Sequence, residues 1–428
     1  MGYNYFNVKN VSKTINSKLN NFLASLGEML EKGKIISFAD RDISYMLSLQ
    51  HDRIKSKGLE LDYNIYPRGK NTNRFTELSN WNDAHYESTV CIDYCGIKRE
   101  VRKNGIIIYK DDKKSVVYGT VTDVLNGVHP DDDSFCCPNC GSISTVAGLQ
   151  NGCAYCGTKY QMDDLFPKIS SFYFLEDSNL AKGEFKPIYI KVYFVSLVIL
   201  YILECLVYGD FFLPGNLIKN TTLLISAIVA LLLGNFLAAY MGTIFYVFIK
   251  GLVKSIVSLN KIGTAGSRGR FEARMKRISP EFSYEYFTSK AISLIKTVIF
   301  SKDEKELMFY EGDKLDPKMK NIIDMNYAGA LGCKSFVDEG NFVTVTTKAY
   351  FDVLYANEGK VYNKSQVFCA TFKRRTDIPV DFNFSMAKIA CPSCGASFDA
   401  TKIKICPYCG NKYDIISDDW ILIELEYN

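Results

Sequence analysis

Apolar positions along this 428-residue chain fall into three regimes. Between about 188 and 260 they are nearly continuous, while on either side they alternate or recur at helical spacing. Within the block, TTLLISAIVALLLGNFLAAYMGTIFYVFI (221–249) carries no charged side chain. A membrane span needs about 20 apolar residues, so this stretch predicts a transmembrane helix. The preceding IYIKVYFVSLVILYILECLVYG (188–209) is interrupted by Lys191, placed to snorkel near one end, and by Glu204 toward the other. It reads as a first span, with an interfacial helix as the alternative. Together the two make a hairpin over 187–250.

Outside the block the patterns predict helices and antiparallel strands. SKTINSKLNNFLASLGEML (12–30) places Ile15, Leu19, Phe22, Leu23, Leu26 and Leu30 on one helical face. STVCIDYCGIKREVRKNGIIIYKDDKKSVVYGTVTDVL (88–125) is rich in β-branched residues and tyrosine, with turn signals at KNG and DDKK. FPKISSFYFL (166–175) reads as a closing strand. Downstream the order recurs: a helix at 281–300, strand-like runs at 341–356, 360–375 and 380–390, and a last strand at 420–427. Helix, strands, a four-cysteine insertion and a final strand in both halves point to an internal duplication. The alternative is two ribbons on unrelated domains. The domains expected are 1–180, the hairpin, a basic juxtamembrane segment at 251–278, and 279–428.

Cysteine content supplies the chemistry. Eight of the 14 cysteines stand in four CxxC knuckles. Cys137, Cys140, Cys153 and Cys156 have 12 residues between the pairs, and Cys391, Cys394, Cys406 and Cys409 have 11. Each set offers four sulfurs to one tetrahedral zinc, and the glycine after each second cysteine relieves the strained turn. Four protein ligands leave no open position, so two structural rather than catalytic zinc ions are expected. Paired knuckles of this kind point to metal rather than disulfides, and hence to a reducing compartment. Cys136 is a spare ligand or a buried neighbour. Cys91 and Cys95, four apart on a strand, read as core.

RISPEFSYEYFTSKAISLIKTVIFSKDEKEL (277–307), with Pro280, Phe282, Ser283, Phe287, Ala291 and Ile295, resembles the opening of the Tim-forty-four-like domain family. Trp420 resembles that family's aromatic near the last strand. Membrane-tethered bacterial relatives with zinc ribbons are called zinc-ribbon transport proteins. Val298-Ile299-Phe300 departs from the family's late-helix Trp, as does the inserted ribbon. The resemblance covers roughly 265–428. It implies a cystatin-like (nuclear transport factor two-like) α+β fold for 279–428. With the duplication, the ribbons and the hairpin, the expected architecture is two such α+β domains, each with an inserted zinc ribbon, separated by the transmembrane hairpin. It also implies a pocket for lipid or partner proteins and a link to protein transport.

Charge sets topology rather than fold. The net charge is +4, too small for a polyelectrolyte role. Basic residues before the first span and after the second predict both termini in the cytoplasm and a multi-pass protein of the cell membrane. MGYNYFNVKN has no apolar h-region and so predicts no signal peptide, and Phe6 argues against myristoylation. In the basic flank, Arg268, Arg270, Arg274, Lys276 and Arg277 are expected to contact membrane lipids, with Phe271, Met275 and Ile278 dipping inward. The stripe Ala230, Gly234, Ala238 and Gly242 is a seam with the first span, a homo-oligomer face, or a chance run of small residues.

Candidate catalysis is poor. His51, His85 and His129 are scattered, and no nucleotide loop or nucleophile elbow appears. The ribbon loops are short of Lys and Arg, which disfavours nucleic acid. The expected function is a non-enzymatic, membrane-anchored binding or scaffold protein that presents a domain to lipid, peptide or protein. The alternatives are a zinc- or thiol-based redox or metal sensor and a nucleic-acid-binding ribbon protein.

Overall fold

Ser12 opens α1 (Lys13–Lys32) by accepting the Ile15 amide at 3.2 Å. Gly33 closes it at φ 69°, where the left-handed turn lets its N–H reach the Met29 carbonyl at 2.9 Å. Leu19, Phe22, Leu23, Leu26 and Leu30 are buried along one face, as the spacing predicts. The chain is described from a computed structural model over residues 10–68, 75–130, 134–176, 185–208, 221–304, 307–357, 359–378, 389–391, 393–398, 405–412 and 419–427. The hairpin linker (209–220) and most of the strand-like run at 380–390 lie outside these residues.

α2 (Arg41–Ser56), capped by Asp40, is a helix that apolar spacing does not flag. Its buried Ile43, Met46, Leu47 and Ile54 alternate with Asp42 and Gln50, which are also buried. There follow β1 (Glu60–Pro67), β2 (Thr76–Asn82), β3 (Tyr86–Lys103) and β4 (Ile106–Val124). β3 and β4 turn at Asn104-Gly105, both with positive φ, so the KNG signal is a hairpin. DDKK is not a turn: it lies inside β4, where Asp111 is needed to pair with Arg99. The first ribbon comprises β5 (Ser134–Cys136), β6 (Ile143–Thr145), α3 (Val146–Asn151) and α4 (Met162–Leu165). β7 (Lys168–Glu176) then completes the antiparallel order β1-β3-β4-β7, with β2 also paired to β3.

α5 (Phe185–Tyr208) and α6 (Thr221–Ile278) follow, then α7 (Tyr284–Phe300). Next come β8 (Ile322–Asp338), β9 (Phe342–Asn357), β10 (Lys360–Arg375), the ribbon pair β11 (Ile389–Ala390) and β12 (Ser397–Phe398), and β13 (Ile421–Tyr427). The sheet order is β13-β10-β9-β8, all antiparallel. β8 escapes a reading by alternation because its register breaks between Tyr327 and Leu331, around Gly329 at φ 77°.

The two halves therefore repeat one topology. In each half the sheet order contains a four-strand path, β1-β3-β4-β7 upstream, where β2 adds a fifth strand beside β3, and β8-β9-β10-β13 downstream, and each ribbon is inserted before the last strand. The repetition reaches single hydrogen bonds. In the upstream half the last strand is bridged in parallel by Ala39 to Ile169, and in the downstream half by Tyr310 to Leu422. The molecule is thus mixed α+β with antiparallel sheets.

Residues 1–177 and 264–428 form one compact unit, and Ser178–Gly263 forms another. Within the first unit the halves interlock through buried polar contacts. Arg99, 1% exposed, bonds Asp324 of β8 at 2.7 Å and also pairs with Asp111. Gln50 donates to the Ile323 carbonyl and to Asp324, each at 3.0 Å, and Arg53 donates to the carbonyls of Ile299 and Ser301 at 2.9 and 3.0 Å. Ile323, Leu354 and Ala356 join the upstream core, while Tyr45, Leu49, Tyr173 and Leu175 pack on the downstream one.

In the second unit α5 packs along α6. Asn235 donates to the Tyr193 carbonyl at 3.0 Å and accepts from Ser196, and Val192 lies 3.3 Å from where a Cβ on Gly242 would stand. The buried row on α6 is Asn235, Ala239 and Thr243. The small-residue stripe is only partly in this seam: Ala230 and Gly234 are exposed, and Ala238 and Gly242 are half-buried. Ile228–Tyr246 is long and apolar enough to cross a membrane, while the apolar part of α5, Ile188–Leu203, is shorter.

Candidate metal centres

Each of the four knuckles is built by the same two backbone hydrogen bonds. The first cysteine donates its N–H to the carbonyl five residues on: Cys137 to Ser142 at 2.8 Å, and Cys153 to Thr158, Cys391 to Ala396 and Cys406 to Asn411 at 2.9 Å. The glycine four residues on donates back to the cysteine carbonyl at 2.8–3.0 Å. Gly141, Gly157, Gly395 and Gly410 all stand between φ 70° and 73°, a conformation strained for any side chain. This is why the sequence repeats CxxCG four times.

These turns bring the eight cysteines together as two groups. In each, the four sulfurs lie within 4.8 Å of one another and could hold a metal ion. The Cys137–Cys156 and Cys140–Cys153 sulfurs are 3.7 Å apart; Cys391–Cys409 and Cys394–Cys406 are 3.6 and 3.7 Å apart. A tetrahedron with Zn–S bonds of about 2.3 Å has edges of about 3.8 Å, so the donor set fits such an ion. Two sulfurs of each group are buried and two are exposed.

Hydroxyls missed by the sequence reading surround the upstream group. Ser142 Oγ lies 3.0 Å from Cys140 Sγ and 3.2 Å from Cys153 Sγ. Thr158 Oγ1 is 3.4 Å from Cys156 Sγ, and Tyr160 Oη is 3.6 Å from Cys137 Sγ. The Ser142 hydroxyl and the N–H groups of Cys156 and Tyr155 pull the Cys153 thiol below its ordinary range, while burial pushes that of Cys137 up. Tyr160 in turn accepts the Asn139 N–H at 3.0 Å, closing the first knuckle. No sequence motif names these residues, although Ser142, Thr158 and Tyr160 all fall within four positions of a ligand.

Among the described residues the other cysteines join neither group. Cys136 lies outside the cluster, and burial pushes its thiol up to about 12. Cys91 and Cys95 are buried in the upstream core, as their strand spacing predicts. Among the described residues, no further group of His, Cys, Asp or Glu gathers at metal-binding distance.

A buried lysine ties each ribbon's exit to the helix that opens its half. Lys18 of α1 donates to the carbonyls of Phe166 and Pro167 at 2.8 and 3.1 Å, and to that of Asp163. Lys290 of α7 sits 2.8 Å from Asp419, which also accepts from Tyr286 at 2.9 Å. A lysine on an otherwise apolar helical face was the available signal.

The basic flank is divided. Arg268 is half-buried, bonded to Glu285 at 2.6 Å and stacked 4.3 Å from the Tyr284 ring. Arg270, Arg274, Lys276 and Arg277 are exposed. Phe271 and Met275 are not free to dip into a membrane. They are 2% and 1% exposed, with Phe271 packed on Phe282 and Phe287 in the downstream core. An amphipathic stripe looks the same whether it meets lipid or a core, and here the core takes it.

No family model, curated protein or solved structure matches this chain.

Proposed function

We propose that the chain is a membrane-anchored, non-enzymatic binding platform whose duplicated α+β body is braced by two structural zinc ions. The observation that carries this reading is the position of the two four-cysteine groups, each inserted in the chain just before the last strand of its antiparallel sheet, β7 upstream and β13 downstream. Four thiolates complete a tetrahedron without a site for water, and an all-sulfur tetrahedral set favours zinc. A metal so placed holds the last strand and its helix in register.

Anchoring is supported by Ile228–Tyr246, whose Leu233, Phe236, Leu237, Met241 and Phe245 are all exposed. Such a patch is costly in water and at rest among acyl chains. In this reading α5 completes a hairpin through the Asn235–Ser196 seam, with both termini cytoplasmic. Arg270, Arg274, Lys276 and Arg277 then face anionic headgroups. Exposed Ala230 and Gly234 leave room for a second copy. Membership of the Tim-forty-four-like family, and with it the cystatin-like fold and a peptide or protein partner, belongs to the same proposal. The resemblance implies a curved antiparallel sheet wrapped around helices, and what supports it is the antiparallel sheet β13-β10-β9-β8 that follows α7.

Carbonate washing of membranes from expressing cells tests the anchor. The chain is expected to stay in the membrane pellet, and release into the supernatant would contradict it. A second reading, a redox or metal sensor, is favoured by the exposure of Cys140, Cys156, Cys394 and Cys409. It requires the fold to survive metal loss while its partner changes.

A further inference from the structure

In each four-cysteine group the exposed sulfurs belong to the second cysteine of each knuckle, Cys140 and Cys156 upstream and Cys394 and Cys409 downstream. The residue two positions after each of them is placed by the knuckle itself. Its carbonyl accepts the N–H of the first cysteine at 2.8–2.9 Å. Those residues are Ser142, Thr158, Ala396 and Asn411, and they therefore stand at equivalent places in the four turns.

Upstream, both carry a hydroxyl against the exposed sulfur. Ser142 Oγ is 3.0 Å from Cys140 Sγ, and 3.2 Å from Cys153 Sγ as well. Thr158 Oγ1 is 3.4 Å from Cys156 Sγ. A metal-bound thiolate has no proton to give, so in the loaded group each hydroxyl donates. Downstream, Ala396 has nothing to donate. Among the described residues, only backbone N–H groups and the other cysteines reach Cys391, Cys394 and Cys409. Other features are shared: Lys159 and Lys412 follow at the same position, and Tyr160 has its counterpart in Tyr413, outside the described residues.

Four thiolates on one divalent ion leave the group anionic, and a hydroxyl donated to sulfur draws off charge, holds the ligand and blunts its nucleophilicity. We propose that the downstream group is the chain's reaction site for hydroperoxides, with Cys394 and Cys409 as the attacking thiolates, and that the hydroxyls of Ser142 and Thr158 keep the upstream group closed. The proposal rests on both groups holding zinc, and it assigns the redox-sensor reading to one ribbon. The thiolate sulfur bonds one peroxide oxygen, the O–O bond breaks, and the other oxygen leaves as hydroxide and is protonated to water. A second thiolate of the group then attacks the sulfenic acid, a disulfide forms, and hydroxide leaves and is protonated. Two thiolates are oxidised, one hydrogen peroxide is reduced to two waters, and the ion loses two ligands.

The test exposes the full zinc-loaded chain in detergent to hydrogen peroxide and follows zinc release with a chromogenic chelator. Alkylation of the remaining thiols and peptide mass spectrometry then locate the oxidised cysteines. Release is expected in two phases, with Cys394 and Cys409 oxidised in the first and the upstream group about tenfold or more slower. Ala396→Ser with Asn411→Thr should slow the first phase, and Ser142→Ala with Thr158→Asn should quicken the second. Two ions lost at equal rates, or the upstream ion lost first, overturn the proposal alone. So does an order of release that both pairs of substitutions leave unchanged. A chain without zinc at the outset overturns the structural-zinc reading, and this proposal with it.

Discussion

The ammonium of Lys290, midway along α7, lies 2.8 Å from the carboxylate of Asp419, just before the last strand and after the ribbon insertion. Both groups are nearly buried, and Tyr286 and the Trp420 N–H fill the other acceptor positions of Asp419. The chain just before the last strand is thereby fastened to α7. Lys18 fastens the upstream ribbon with carbonyl acceptors instead of a carboxylate.

Removing one partner should cost more than removing both. Lys290→Met leaves Asp419 buried without its counter-ion, at a cost of about 3–5 kcal/mol. Adding Asp419→Asn should recover a large part of the loss, a coupling read by thermal melting of the two single variants and the double. Additive losses would show that the pair contributes nothing jointly.

Arg99 joins the halves. Arg99→Met strands Asp111 and Asp324 in the interior, and the expected loss is about 3–5 kcal/mol in urea unfolding. Because residues of each half join the other's core, the unit formed by residues 1–177 and 264–428 should unfold in one transition. Separate upstream and downstream transitions would contradict the interlock.

A pH dependence follows from Lys296. Its side chain is buried, 5.7 Å from the Phe172 ring. Burial pulls its ammonium down to about 8, against the opposing pull of Asp324. The folded value lies below the unfolded 10.5, so between the two the unfolded chain binds more protons. The penalty is fully present below about 8 and is relieved as pH climbs toward 10.5, so stability rises over that window. Lys296→Met should flatten the rise and stabilise the protein at neutral pH by about 3 kcal/mol. A variant that keeps the slope would assign it to another group.

In the helix pair, Asn235→Leu should loosen α6 from α5 by about 0.6–1.7 kcal/mol. Disulfide formation between Val192→Cys and Gly242→Cys, introduced together, is expected to slow when Asn235→Leu is added. An unchanged rate would mean that packing alone holds the seam.

What the chain discloses in one dimension is what its chemistry keeps local. The knuckles are legible because both ligands of each pair and the positive-φ glycine fall within five residues. α1 and β9 are legible because their apolar positions keep the helical and the alternating period. Lys18 and Lys290 show only as lysines on apolar faces, because their acceptors, like the Asp324 partner of Arg99, lie far away in sequence. α2 hid because its face toward the rest of the unit is partly polar. The small residues of α6 are obvious in sequence, yet the helix buries Asn235, Ala239 and Thr243, one position along. Hydropathy finds such a helix without finding its face. Phe271 and Met275 show the same ambiguity resolved toward a core.

The central claim is that the two four-cysteine groups are structural zinc sites, and metal analysis of the full chain during chelation tests it most directly. Elemental analysis should give two zinc ions per chain, and their removal should abolish the protected ribbon amides and lower the melting temperature. Cys137→Ser and Cys406→Ser should each leave one ion. A chain that carries less than one zinc, or that keeps its ribbon protection and melting temperature after both ions are stripped, would contradict the claim.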